Sequence, residues 1–258
     1  MKILSTYSIK GGVGKTATAV NLACLAAEEG YRTVLWDLDP QGAASFYYRI
    51  KPKVKGGVEK LTRGKRDLEA VIKGTDFLNL DLVPADFSYR NMDLVFHDAK
   101  RPVAQLLRLL KPLREEYDLL IIDAAPSISL VSENIFLAAD ALLVPVIPTP
   151  LSVRTLEQLL GHLNKKDKGG SRCRVLPFFS MSDRRKALHT QVMRDLPETY
   201  PDFLATDIPY SAVVEAMGAQ RNPVTAFARN SRVDERYRAL WDEVRAEVFK
   251  KLAADERR

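Results

Sequence analysis

The chain has 258 residues, 46% hydrophobic and 28% charged, with a formal net charge of +6. That is the profile of a globular protein with room for one large α/β core or two small ones. The mild positive balance admits a polyanionic partner without identifying one. Cys24 and Cys173 form no CxxC or zinc pattern, so they read as reduced thiols, Cys24 as a packing residue. His97, His162 and His189 are scattered without metal-ligand spacing and are assigned no chemistry. The opening "MKILSTYSI" shows no signal-peptide cleavage site, and no apolar run approaches the roughly 20 residues of a membrane span. The expected location is the cytoplasm.

In chain order, "KILSTYSI" predicts a short buried strand that runs into a Gly-rich turn. "KTATAVNLACLAAEEG" follows as a helix, with Val20, Leu22, Ala23, Leu25 and Ala26 on its apolar face and Gly30 as its stop. "RTVLWDLDP" is a second strand, ended by Pro40. Residues 51–66 hold seven basic residues and one acidic residue and read as an exposed insertion outside the core. A helix is expected over 102–116. "YDLLIIDAAPS" then gives a strand whose unbroken run Leu119–Ile122 suits burial on both faces of a parallel sheet. Helix 130–138, strand "ADALLVPVIP", helix 152–165, strand "CRVLPFFSM" and helix 185–196 follow. The tail from Asp234 to Leu252 is a helix with one apolar stripe: Tyr237, Leu240, Trp241, Val244, Val248 and Leu252. Alternating strand and helix predicts a doubly wound, mostly parallel sheet flanked by helices, with 1–258 as a single domain. Ligands of such sheets bind at the carboxyl ends of the strands.

Three motifs fall at those ends. In "SIKGGVGKTATAV", the backbone N–H groups of Gly12 to Thr16 are expected to face nucleotide phosphates. Lys15 reaches the β and γ phosphates and the Thr16 hydroxyl binds magnesium. The strict GxxxxGK[ST] pattern fails, because Ile9 stands where its first glycine belongs. Lys10, Gly11, Gly12, Val13, Gly14, Lys15 and Thr16 stand in its place. The second motif, "VLWDLDPQGAAS", puts Asp37 and Asp39 on one side of a strand end. Two carboxylates beside a triphosphate make sense if one holds the metal's water shell and the other positions the attacking water. The third, "LLIIDAAPS", ends an apolar strand in Asp123, which is placed to bind a magnesium-coordinated water.

These residues resemble the deviant Walker A motif, the DxDPQG strand and the Walker B strand of the ParA/MinD superfamily of P-loop ATPases, with the closest likeness to ParA/Soj-like partitioning proteins. The resemblance spans Met1 to about Leu252 and is softer towards the C-terminus. Ala125 stands where the family often has proline, and Ala17 where it often has threonine, which removes one hydroxyl from the phosphate site. The resemblance implies ATP and Mg2+ as ligands and a homodimer when ATP is bound. It implies that Lys10 reaches the partner subunit's nucleotide, that Asp39 positions water, and that Ile208, Pro209 and Tyr210 lie near the base. The fold's expected nucleotide contacts therefore include Lys10 through Ala17, with Thr16, Asp37, Asp39 and Asp123 toward the metal.

What such an ATPase sits on separates the branches of the family. Arg184, Arg185, Lys186, Arg221, Arg229 and Arg232 favour nonspecific DNA, bound through phosphate contacts on a face away from the nucleotide. Slow hydrolysis stimulated by a ParB-like or other partner, with nucleoid association, goes with that reading. The alternatives are a MinD-like membrane ATPase using the tail helix and a metabolic P-loop enzyme of the amidoligase type. The tail's Asp242, Glu243 and Glu247, and a stripe that can pack on the sheet, count against lipid. The sequence shows no second constellation that would bind a carboxylate substrate. The insertion 51–66 fits a DNA patch, a partner contact or a solvated surface equally.

Overall fold

The computed structural model describes residues 1–166 and 173–249. Its strands are β1 (Lys2–Thr6), β2 (Thr33–Asp37), β3 (Lys73–Gly74), β4 (Leu80–Val83), β5 (Leu119–Asp123), β6 (Ala141–Val146), β7 (Arg174–Ser182) and β8 (Ile208–Pro209). They form one sheet in the order β3-β4-β2-β5-β1-β6-β7-β8. Only the β3–β4 pair is antiparallel among the described strands. The expected doubly wound architecture is the one observed.

Burial on both faces explains the continuous apolar strands. In β5, Leu120 and Ile122 face one core while Leu119 and Ile121 face the other. The first core holds Trp36, Phe96, Leu106, Ile135 and Leu156 beneath helices at 92–97, 105–110, 130–138 and 150–166. The second is built by the helix Lys15–Glu28 and the tail helix Arg232–Phe249. Tyr237, Leu240, Trp241, Val244 and Val248 are all buried there, so this stripe is not presented to a bilayer. Leu252 and the flanking Lys250 and Lys251 lie outside the described residues. No helix among the described residues is long and apolar enough to cross a membrane.

Two sequence expectations need correction. The helix over 102–116 is broken into a 3-10 turn at Pro102–Ala104, a helix at Gln105–Leu110 and a second turn at Pro112–Arg114. Pro112 has no N–H to continue the ladder. The insertion is not wholly outside the core either. It contains the short helix Gly57–Thr62, and Val54, Val58 and Leu61 are buried in the first core, while Lys51, Lys53, Lys55, Lys60, Arg63 and Lys65 are exposed. Alternation of charge and aliphatic residues gave it an apolar underside.

Candidate nucleotide-binding site

The segment after β1 turns through Gly12 (φ +68°) and Gly14 (φ +95°) before the helix begins at Lys15. Both angles belong to glycine. At Gly14 space is also closed, since a Cβ would lie 2.8 Å from Ser180 Oγ on β7. The loop and the first turn of the helix, Gly11 through Ala17, form one wall of an open cleft of about 360 Å³. Ile208, Pro209 and Tyr210 form another, with Asp39 facing in from the end of β2. The structure thus brings together the expected phosphate loop and the expected base-side residues.

Behind the cleft lies a cluster of buried charge. Lys15 is only 7% exposed and its Nζ lies 3.4 Å from the Lys10 carbonyl. Burial weakens its hold on the proton, against the opposing pull of Asp123 and Asp39. Asp37 and Asp123 sit directly opposite each other on the paired strands β2 and β5, both buried. Asp37 Oδ2 accepts from the Ser45 backbone N–H and hydroxyl, each at 2.7 Å. Asp123 Oδ1 accepts from Thr6 Oγ1 at 3.3 Å. Their other oxygens, Asp37 Oδ1 and Asp123 Oδ2, have no partner among the described residues. Burial raises both carboxyl pKa values; neighbouring carboxylates raise them further, Asp39 acting on Asp37, and Asp37 and Asp39 on Asp123. Two orphaned carboxylate oxygens beside a phosphate loop are hard-oxygen donors suited to a magnesium ion or its water. Asp39 is half-buried and accepts from the Gln41 N–H at 2.9 Å.

Lys10 is absent from this cleft. Its Nζ lies 3.3 Å from Ser152 Oγ, in the helix Pro150–Lys166. Gly11 to Ala17 line the cleft without it.

The six basic residues do not form one face. Arg184, Arg185 and Arg232 line a second cleft of about 370 Å³, which shares Pro209 and Tyr210 with the first. It lies beside the nucleotide cleft, not opposite to it as expected. Arg184 pairs with buried Asp207 at 3.1 Å, and Arg185 with Asp183 at 2.9 Å. Lys186 is exposed next to them. Arg221 stacks over the Phe46 ring at 4.6 Å, and Arg229 pairs with Glu28 near the far end of the first helix. Those two belong to other surfaces.

Sequence reading missed Tyr47, Ser180, Met181, Glu215 and Tyr237, which also line the nucleotide cleft. Tyr237 is legible only as one member of the tail stripe. Ser180 has a signal only once β7 is known to end beside Gly14. Asp207 was also missed: it accepts from Ser182, Arg184 and Arg236, so it ties the β7 and β8 ends to the tail helix.

Residues 1–171 match the family described as AAA domain. The sporulation initiation inhibitor protein Soj of Bacillus subtilis (strain 168) is 30% identical over 249 residues, covering 95% of this chain and 98% of Soj. A solved cobyrinic acid a,c-diamide synthase from Mycobacterium smegmatis, with bound ADP and magnesium, is 25% identical with a TM-score of 0.80, covering 95% of each chain. An ATP complex of a McdA variant from Cyanothece shares the fold with a TM-score of 0.84 at 21% identity, covering 95% of this chain and 96% of McdA. The chain belongs to the ParA/MinD superfamily of deviant Walker A P-loop ATPases. Over most of its length the chain is similar to ParA/Soj-like partitioning proteins.

Proposed function

We propose that the chain is an ATP-dependent dimerising ATPase that positions or partitions cargo (a plasmid, a chromosome or a protein complex) through ATP-gated binding to nonspecific DNA. The observation that carries this reading is the position of Lys10: the residues after it, Gly11 to Ala17, line the cleft, while its own side chain turns to Ser152. A half-buried cation held by Ser152 beside its own loop, and left over from its own cleft, suits the phosphates of a second copy's nucleotide.

In this reading the N–H groups of Gly12 to Thr16 orient the triphosphate, and Lys15 neutralises its β and γ phosphates. Ile208, Pro209 and Tyr210 hold the base. Mg2+, held by Thr16, Asp37, Asp39 and Asp123, supplies charge neutralisation at the phosphates. Asp39, half-buried at the mouth, orients the attacking water. Arg184, Arg185, Lys186 and Arg232 contact DNA phosphates beside the cleft, with Arg221 and Arg229 contributing from neighbouring surfaces. A ParB-like or other partner stimulates slow hydrolysis and releases the dimer. The protein works in the cytoplasm, on the nucleoid.

The test is binding to a nonspecific duplex with ATP, ADP or no nucleotide across a salt series. ATP-dependent binding that weakens steeply with salt is expected. Absence of binding in every state removes the DNA reading.

One observation favours a second reading. The cleft adjoining the nucleotide cleft is lined by Arg184, Arg185 and Arg232 against Asp183 and Asp207, a small positive excess that suits a carboxylate substrate, as an amidoligase requires. The similarity to the cobyrinic acid a,c-diamide synthase of Mycobacterium smegmatis supports that reading. Hydrolysis stimulated by a small polycarboxylate and indifferent to DNA would select it.

A further inference from the structure

Tyr7 stands between β1 and the phosphate loop and is fully buried. Its backbone N–H donates to the Leu143 carbonyl of β6 at 3.0 Å, so the residue is fixed to the sheet. Its ring packs edge-to-face on Phe136, with centroids 4.9 Å apart. Its hydroxyl donates to the Ser127 carbonyl at 2.5 Å, across 120 positions of sequence.

Ser127 lies in the loop that joins Asp123 to the helix Leu130–Ala138. The two ends of that loop have holds of their own, though the Tyr7 hydroxyl also meets the Ser132 side chain at the helix end. Ala124 N–H donates to the Thr6 carbonyl at 3.3 Å. Ser129 and Ser132 form a reciprocal cap at the helix start. Residues 126–128, between those ends, are exposed. Pro126 lines the nucleotide cleft, and a Cβ at Gly11 would meet its Cγ at 3.9 Å, so the loop's middle lies against the phosphate loop. The Tyr7 hydroxyl is the tie from the core to that middle.

We infer that Tyr7 is a positioning residue for ATP hydrolysis: its buried phenol latches the loop after Asp123, and with it Pro126, against the phosphate cradle. The inference rests on the reading of the cleft as an ATPase site. The latch sets the position of the loop's backbone and makes no contact with nucleotide itself. Its loss therefore acts on the reacting geometry and spares ground-state affinity.

Tyr7→Phe keeps the ring against Phe136 and removes only the hydroxyl. Two measurements on the full chain with Mg-ATP test it. The first is hydrogen exchange. Loss of the hydroxyl's bond to Ser127, and of its contact with Ser132 at the helix start, should raise exchange about fivefold in a peptide covering 124–129, with the rest of the sheet unchanged. The second is single-turnover hydrolysis against nucleotide affinity. The rate should fall about fivefold while the ATP dissociation constant stays within about twofold. Faster exchange spread over the whole fold would show a merely structural tyrosine and overturn the inference. So would unchanged exchange in 124–129, or local loosening with an unchanged hydrolysis rate. If the wild-type chain hydrolyses no ATP with or without DNA and a partner, the ATPase reading fails, and the claim about hydrolysis falls with it. The exchange result then still decides whether the latch exists.

Discussion

The two ends of the central sheet treat charge in opposite ways. At the amino ends of the strands, charges are paired and reachable by water: Lys2 with Asp140 at 3.6 Å, Arg32 with Asp118 at 2.8 Å, Arg245 with Glu29 at 2.8 Å. The Arg32 hydrogen bond holds the Asp118 carboxyl below its ordinary range. At the carboxyl ends, Asp37 and Asp123 are buried side by side, each with an orphaned oxygen and a raised pKa. Lys15 is the cation beside them, itself weakened by burial. A fold that needed only stability would pair or remove these groups. Buried carboxyl oxygens without partners mark the end where a ligand is expected to complete the electrostatics.

Lys15→Ala puts the buried end of the sheet to its hardest test. It removes the cation expected on the phosphates, and Mg-ATP binding should weaken about 100-fold, read by titration calorimetry. Unchanged affinity would mean the buried charge serves something other than phosphate. Asp39→Ala is next. Mg-ATP binding should persist while hydrolysis falls about 100-fold, leaving an ATP-bound dimer visible by light scattering. A variant that stays monomeric with Mg-ATP would refute the role given to Asp39.

The carboxylate pair predicts a pH effect. Both groups bind protons more tightly in the folded chain than in the unfolded one, where carboxylates titrate near pH 4. The metal-free protein should therefore lose stability as pH rises from about 4 towards about 6, for Asp37, and about 8, for Asp123. Melting curves in EDTA check this. Asp123→Asn keeps the shape without the charge, so it should flatten the decline and raise the melting temperature at pH 8 by about 3–5 °C, while removing magnesium-dependent hydrolysis. The smallest effect belongs to the other end of the sheet. Arg245→Ala, with 41% of the arginine side chain exposed, should shift stability by less than about 1 kcal/mol, and less still in high salt.

The parts of the fold legible in the sequence were those with long, one-sided physics. Strands such as Leu119–Asp123 and Ala141–Val146 announce themselves by unbroken apolar runs, and the phosphate loop by its glycines ahead of Lys15 and Thr16. β4 was missed because four residues, with Asp81 between Leu80 and Leu82, offer little period to detect. β8 has only two residues and exists through its pairing with β7. Of the site, the phosphate loop, Asp39 and the Ile208–Tyr210 wall could be read locally. Tyr47, Ser180 and Glu215 could not, since each reaches the cleft from an element whose direction depends on the whole sheet. The basic residues were legible as charges but not as partners. Asp183, Asp207 and Glu28, which engage three of them, are distant or unremarkable in the linear text.

The segment 51–66 wears its charge on one side and its structure on the other. Val54, Val58 and Leu61 are wedged among Tyr89, Met92 and Phe96. Excising the segment would therefore unroof the core and report on folding, whatever the lysines do. Its electrostatics can be edited without touching its architecture: replacing exposed Lys51, Lys53 and Lys55 by glutamate leaves every wedge residue in place. The patch is separable as charge and inseparable as chain.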